Sequence, residues 1–164
     1  MNRQFSQAKV WVLVFFVSVL AISCKRLDVY EKNTAIPNYQ WKADYKPSFQ
    51  FIINDTTDSY QIFVVLRHTD AYAFNNIWLN VGMQAPGDTL RQQKLEVTLG
   101  NDAVGWEGTG MNDIWEVRKA ITNGPIRLKK TGVYNFSIAQ IMRQNPLAEL
   151  LSVGVRVERV KGLK

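Results

Sequence analysis

His68, the only histidine of the chain, is the first side chain to examine for chemistry. It lies in Arg67-His68-Thr69-Asp70, and in a continuous strand His68 and Asp70 would share one face because side chains alternate. Such a pair could act as a base with its orienting acid, or supply two metal ligands. However, His68 continues the apolar parity of the preceding run, which favours a packed, hydrogen-bonded histidine at a strand end. No spacing in the chain singles out a third metal ligand.

The acids Glu107, Asp113 and Glu116 could include a carboxylate pair of the kind that hydrolyses glycosidic bonds. Unpaired acids near turns are common, so the interpretation as solvated side chains is favoured. Residues 105–110, GWEGTG, resemble a phosphate loop only in their glycines, because no Lys-Ser or Lys-Thr follows and no βαβ pattern surrounds them. A turn or bulge is favoured there. From the sequence we therefore expect that the protein is not an enzyme and that it has no catalytic residue, bound metal or cofactor.

The N-terminal residues have the pattern of an export signal. Residues 1–9 carry Arg3 and Lys9 and no acid, and residues 10–22 form an apolar run interrupted by one serine. This run is shorter than the roughly 20 residues that cross a hydrocarbon core, and it matches the h-region of a signal peptide. Residues 1–23 are therefore predicted to be a signal peptide.

Cys24, the single cysteine, follows this run directly in Leu20-Ala21-Ile22-Ser23-Cys24, which resembles the bacterial lipobox. In a lipobox the chain is cleaved before the cysteine, here between Ser23 and Cys24, and the cysteine is lipidated. Ala21 departs from the pattern, which usually has Leu, Val or Ile at that place. The alternatives are a simple secretory leader or an uncleaved anchor, with Cys24 an unmodified thiol. Two or more acyl chains would make a stable membrane tether.

The formal net charge of +6 and the pI near 9.5 raise nucleic acid or an anionic membrane as partners. Two of the basic residues lie in the leader, which leaves +4 on the mature part. The others are mostly scattered single positions, and no clustered stripe or nucleic-acid motif is present. A solvated face is the favoured interpretation, and no nucleic-acid partner is expected.

Alternating apolar residues predict short strands along the mature chain. Both faces of residues 60–67 are largely apolar, which predicts an inner strand. Residues 114–121 are compatible with a short helix, although their pattern favours a strand. Pro86-Gly87 suits the centre of a type II turn. The other predicted strands cover residues 48–53, 77–84, 94–99, 126–130, 134–138 and 151–158.

One short helical turn is predicted where Ile138, Ile141 and Met142 have i, i+3, i+4 spacing before Asn145-Pro146. About eight short strands with turns every 8–12 residues otherwise indicate an all-β, antiparallel β-sandwich, which could be jelly-roll-like.

The expected domain organisation is a signal peptide over residues 1–23, a tether and N-terminal extended segment over residues 24–47, and a β-sandwich over residues 48–164. Trp41 is expected to pack on the sandwich despite lying before it.

Five aromatic residues could form a platform that stacks against a sugar or a partner side chain. If they are exposed and coplanar, the protein would be a carbohydrate-binding β-sandwich, whereas buried rings would count against this interpretation. The five are Tyr72, Phe74, Trp78, Trp106 and Trp115.

The motifs VYEKN…IPNYQW, YQIFVVLRHTDAYAFNNIWLNV, QAPGDT, GTG, TGVYNFSIAQIMRQNP and SVGVRVERV, taken in this order, resemble the gliding-motility lipoprotein GldH family of Bacteroidetes. The run with Arg67, Tyr72, Asn75 and Asn76 is especially similar. The resemblance implies a periplasm-facing lipoprotein of the cell envelope that is linked to gliding and to type IX secretion, and we expect the outer membrane rather than the inner one. It implies no catalytic residue, and Cys24 alone carries over as a functional position.

We therefore expect protein–protein contact with other gliding or secretion proteins through the loop at residues 69–76 and neighbouring turns. Replacing Tyr72 and Phe74 with Ala is expected to weaken gliding while the fold stays intact. The candidate contact residues are Arg67, His68, Asp70, Tyr72, Phe74, Asn75, Asn76 and Trp78.

Overall fold

The computed structural model describes residues 29–160, and eight strands in this range have six residues or more. These are β1 (Tyr30–Ala35), β3 (Ser48–Ile53), β4 (Ser59–Thr69), β5 (Asn76–Gln84), β6 (Arg91–Thr98), β10 (Ile114–Ala120), β12 (Gly132–Gln140) and β14 (Leu150–Val160). The short strands are β2 (Gln40–Trp41), β7 (Gly100–Asn101), β8 (Gly105–Trp106), β9 (Thr109–Met111), β11 (Ile126–Arg127) and β13 (Leu147–Ala148).

The long strands form two antiparallel sheets that pack face to face. One sheet has the order β1-β14-β4-β10-β9, with β11 also paired to β4, and the other has the order β3-β12-β5-β6. The eight long strands pair in a nested way, first with eighth, second with seventh, third with sixth and fourth with fifth. This nesting is the topology of a jelly roll, so the predicted antiparallel β-sandwich is confirmed.

The core lies between the sheets and contains the apolar residues of one parity from each strand. In β4, Tyr60, Ile62, Val64 and Leu66 are all buried and face the second sheet. β4 pairs with β14 on one side and β10 on the other, which confirms the predicted inner strand. Burying a large aliphatic or aromatic side chain contributes about 1.5–3 kcal/mol, so this interior supplies most of the folding energy.

The predicted helical turn at residues 138–142 is wrong in its position. Ile138 lies in β12, whose pairing with β5 continues to Gln140, and the hydrogen bonds of that ladder exclude a helix. The apolar residues at i and i+4 of this spacing have separate causes. Ile138 faces the core, and Met142 lies beside β5, where its sulfur accepts a hydrogen bond from the Trp78 backbone N–H. The one helical turn of the described residues is a 3-10 turn at Pro37–Tyr39.

Two other local predictions are confirmed. Residues 114–120 form strand β10, which pairs with β4. At the Pro-Gly turn, the Asp88 N–H donates to the Ala85 carbonyl oxygen at 3.0 Å and Gly87 has a φ of 71°, as position i+2 of a type II turn requires.

The sandwich includes residues that the sequence assigns to the tether and N-terminal extended segment. β1 pairs with β14 along its whole length, and Trp41 is completely buried, with its indole N–H donating to the Tyr45 carbonyl oxygen. The packing predicted for Trp41 is confirmed. Among the described residues before residue 48, β1 and Trp41 already belong to the sandwich, because these backbone and ring contacts are part of the fold. The predicted signal peptide, Ser23 and Cys24 lie outside the described residues.

The connections gather at two ends of the sandwich. Residues 36–47, 70–75, 99–113 and 141–149 meet at what we term the loop end. Residues 54–58, 85–90 and 121–131 lie at the opposite end, which we term the terminal end because β1 starts there and β14 finishes there. No helix among residues 29–160 is long and apolar enough to span a membrane.

Candidate functional site

The eight candidate contact residues all lie at or near the loop end, but the structure divides them by exposure. His68 and Tyr72 are 0% and 4% exposed, so neither can touch a partner. The prediction that His68 and Tyr72 belong to the contact surface is therefore wrong. The sequence pattern places Tyr72 in a polar loop, but its ring lies in the core. Arg67, Asp70, Asn75 and Trp78 are exposed, whereas Phe74 and Asn76 are half-buried.

Tyr72 belongs to a group of four rings beneath the loop, which we term the aromatic cluster: His68, Tyr72, Phe74 and Trp106. The Tyr72 ring centroid lies 5.6 Å from His68, 5.8 Å from Phe74 and 6.3 Å from Trp106. His68 and Trp106 meet edge to face at 4.6 Å. Aromatic pairs at such distances contribute about 0.5–1.5 kcal/mol beyond their burial, so the cluster supports the loop from inside.

Hydrogen bonds hold the backbone of the same loop. The Tyr72 hydroxyl donates to the Asn76 carbonyl oxygen at 3.1 Å, and burial raises the pKa of this hydroxyl, so it stays protonated and able to donate. The Asn75 carbonyl oxygen accepts from Leu99 N–H at 2.7 Å and Gly100 N–H at 3.1 Å. The loop is therefore fixed to the 99–113 connection, and its exposed side chains are presented on a rigid base.

His68 is a packed histidine, with its Nδ1 2.8 Å from the Thr69 carbonyl oxygen. A carbonyl oxygen can only accept, so Nδ1 carries the proton in the neutral ring and donates it. Nε2 is then an acceptor, buried without a hydrogen-bond partner. Burial lowers the pKa of His68, and the ring is neutral at pH 7. Within residues 29–160 no hydrogen bond joins His68 to Asp70, and no group of three His, Cys, Asp or Glu side chains could hold a metal.

The lowered pKa of His68 predicts a pH-dependent stability. Between the folded pKa and the ordinary value of about 6.5, the unfolded state binds the extra proton, so stability rises with pH. We expect the free energy of unfolding to decrease below pH 6.5 by up to about 1.4 kcal/mol per pH unit. Urea titrations from pH 7 to 5.5 measure this slope. His68→Phe should flatten it, and an equal slope in both proteins would contradict the assignment.

Two of the three acids considered for glycoside hydrolysis are held in ion pairs. Glu107 is paired with Lys119, and Glu116 lies 2.6 Å from Arg67 and 2.7 Å from Arg118. Burial alone would raise the pKa of Glu116, but the two guanidinium groups outweigh it and hold the pKa below its ordinary value. A general acid requires the opposite shift, so this carboxylate has a structural role.

Glu116 belongs to a chain of alternating charges that crosses the outer face of the six-stranded sheet. The chain continues from Arg118 to Glu31 at 3.8 Å, and then through Arg156 to Glu158. Beneath it, Val65 is completely buried although it lies on this outer face. The three cations and three anions of this chain balance one another.

The five aromatic residues do not form one exposed platform. Tyr72, Phe74 and Trp106 belong to the aromatic cluster, which counts against stacking of a sugar on them. Trp78 is different, because it lies on the outer face of β5 and is 40% exposed. Its neighbour Ile141, which the sequence pattern assigns to a helical turn and not to a contact surface, is 38% exposed and donates its N–H to the Trp78 carbonyl oxygen at 2.9 Å. The one sequence feature that points to Ile141 is that it is an apolar residue four positions before Asn145.

Fold and site together describe an antiparallel β-sandwich domain that presents a loop on a rigid aromatic base. A family model described as GldH lipoprotein matches residues 28–157, and the chain belongs to this family of gliding-motility lipoproteins. It is 27% identical to the gliding motility lipoprotein GldH of Flavobacterium johnsoniae, with 90% of this chain and 94% of that protein covered. It is 26% identical to a gliding motility lipoprotein GldH homolog of Christiangramia forsetii, with 94% and 97% covered.

Proposed function

We propose that the mature protein is tethered to the bacterial cell envelope by lipid on Cys24 and acts without catalysis, as an assembly component of the gliding apparatus. It faces the periplasm, with the outer membrane as its anchor, and contacts other gliding or secretion proteins. Family membership and the lipobox-like sequence before Cys24 support the tether. The rigid loop end supports the contact role, because a preorganised surface loses little entropy on binding.

The observation that carries the contact proposal is the exposed pair of Trp78 and Ile141 beside the loop. Protein interfaces are enriched in aromatic residues at their centre and depleted of charges there. The outer positions of β3, β12 and β5 include no charged residue, although charged residues make up 21% of the chain. Glu96 and Lys94 of the neighbouring strand β6 lie opposite Trp78 and Asn80 and supply charge at the edge of this face. Trp78 is therefore the proposed anchor, with a polar rim around it.

Trp78→Ala tests this anchor. Interface tryptophans often contribute 2 kcal/mol or more to binding, so we expect partner affinity to fall about 30-fold or more and colony spreading to be lost. Stability should fall less than on removal of a fully buried ring, because Trp78 is 40% exposed. The measurement is spreading of the host lacking its own copy and supplied with the variant, together with thermal unfolding of the purified protein.

Ile52→Ala is the matched control, because Ile52 is 58% exposed on the same sheet but lies near the terminal end. The control should spread like the wild type. Normal spreading of Trp78→Ala, at normal protein abundance, would overturn Trp78 as the anchor.

A neutral glycan is the second candidate partner, and one feature of the same sheet favours it. Its outer face carries paired amides, with Gln50 donating to Asn135 at 2.8 Å and Asn80 donating to Gln92 at 3.2 Å. Amides and one exposed indole can bind sugar hydroxyls and a sugar face. Binding of a glycan by the wild type and not by Trp78→Ala would support this alternative over protein contact.

A further inference from the structure

The chain enters the sandwich at the terminal end. Tyr30 opens β1 and pairs with Val157, three residues before Val160 at the end of β14. Cys24 precedes Tyr30 by six residues, which span at most about 20 Å when fully extended. If Cys24 carries the tether, as proposed above, the bilayer surface lies within about 20 Å of the start of β1. The terminal end is therefore the part of the domain that is held next to the membrane.

An apolar groove opens at this terminal end, between the loops at residues 85–90 and 121–131. It has a volume of about 340 Å³ and adjoins a second cavity of about 240 Å³ that shares Met83 and Arg91. Ligand pockets commonly have volumes of about 300–1,000 Å³, so the groove can accept part of an alkyl chain. The apolar walls are Met83, Ala85, Ile126, Leu128 and Tyr134.

The groove also lies near the point where the chain enters. β11, which contributes Ile126, is paired to β4, and β14 and β1 follow on the other side of β4. Three strand spacings separate β11 from β1, which is a distance of about 14 Å. A lipid tether at Cys24 can therefore bring the groove to the bilayer surface without any change in the fold.

The rim of the groove is basic, with four cations against one acid. Lys130 is paired with the acid, Asp88, at 2.7 Å. Arg91, Arg127 and Lys129 are exposed and make no ion pair among residues 29–160. Three unpaired cations around an apolar space are complementary to an anionic head group joined to an alkyl chain.

The other acids at the terminal end lie in the loop at residues 54–58, which leads into Ser59, the strand partner of Arg127. Asp55 and Asp58 belong to the loop at residues 54–58, where Asp58 lies 3.4 Å from Arg159. Asp55 accepts hydrogen bonds from Thr57 within the same loop. Asp88 is paired with Lys130 and Asp58 with Arg159, so Arg91, Arg127 and Lys129 leave the terminal end with an excess of positive charge.

We propose that the terminal end docks on the surface of an anionic phospholipid bilayer. The phosphates lie against Arg91, Arg127 and Lys129, and the groove takes the first part of an acyl chain. This proposal rests on the proposed tether and adds an orientation to it. The long strands rise by about 3.3 Å per residue, so Trp78 and the loop end lie about 30 Å above the membrane, where partners can reach them.

Hydrogen exchange on the full mature lipoprotein tests the docking. The protein is reconstituted into vesicles of phosphatidylcholine alone or of phosphatidylcholine with phosphatidylglycerol. We expect amide exchange of residues 85–91 and 126–130 to slow several-fold in the anionic vesicles only, while residues 70–75 are unchanged. The difference should disappear at 1 M salt, where the Debye length is about 3 Å.

Arg127→Gln combined with Lys129→Gln should abolish the difference, because it removes two of the three unpaired cations. Lys42→Gln combined with Arg143→Gln removes the same charge at the loop end and should retain it. Equal exchange in both vesicle types, or the same loss in both variants, would overturn the docking. Flotation on neutral vesicles reports the tether separately. A protein that fails to float there lacks the tether, and its exchange with anionic vesicles still decides whether this surface binds lipid.

Discussion

Tyr72→Ala is expected to destabilise the fold strongly, by about 3–5 kcal/mol, which is the usual cost of removing a buried aromatic ring. The ring is almost completely buried against His68, Phe74 and Trp106, and its hydroxyl ties the loop to the Asn76 carbonyl oxygen. Natural domains have only about 5–15 kcal/mol of stability in total. Urea unfolding of the purified variant measures the loss directly.

Tyr72→Phe is the control for the hydroxyl group. It keeps the ring and leaves one carbonyl oxygen without its donor, so we expect a loss of about 1 kcal/mol. Any gliding defect of Tyr72→Ala is then a consequence of lost structure, unlike that of Trp78→Ala. A Tyr72→Ala protein with wild-type stability would show that the aromatic cluster does not support the loop.

Gly108→Ala is expected to have the second large effect, a loss of about 3 kcal/mol or more. Gly108 has a φ of 92°, where an L-residue costs about 1–2 kcal/mol. A Cβ there would also overlap the backbone carbonyl oxygen of Glu116 and lie 3.1 Å from the Cα of Val117. Backbone cannot move aside like a flexible side chain, so β10 must shift, and such overpacking costs about 1–3 kcal/mol.

Gly105→Ala separates these two causes. Gly105 belongs to the same glycine run and has a similar φ of 85°, but a Cβ there would meet no heavy atom within 4 Å. We expect it to lose only about 1–2 kcal/mol, the cost of the backbone conformation. Chemical unfolding of both variants measures the difference. Equal losses would mean that the close approach to Glu116 has no energetic consequence.

Much of the architecture could be predicted from alternation along the chain. The two-sided apolar pattern at residues 60–67 located the central strand, and Pro86-Gly87 located a turn, because both depend on neighbours in sequence. The nested strand order could not be read in this way, since the pairing of β1 with β14 joins residues more than a hundred positions apart. The predicted helical turn is misplaced because Ile138, Ile141 and Met142 have the spacing of a helix, although Ile138 lies near the end of a strand and the other two follow that strand.

The candidate site could be predicted only in outline. The sequence shows a loop rich in aromatic and amide side chains. The burial of Tyr72 could not be predicted, because it depends on Trp106, which lies in the connection at residues 99–113. Exposure of Trp78 follows from its parity in β5, whereas its contact with Ile141 depends on how β12 ends. The cations of the basic rim look like scattered single positions in the sequence. Arg91 and Lys129 are far apart along the chain and come together only at the terminal end of the folded domain.

The measurement that tests the central claim most directly is the intact mass of the protein extracted from membranes, with the wild type beside Cys24→Ser. The account predicts a wild-type species that begins at Cys24 and carries added acyl mass, and the variant should lack this modification. An unmodified mass in both proteins would contradict the lipid tether, and binding of the terminal end to lipid would then be decided by the exchange experiment alone.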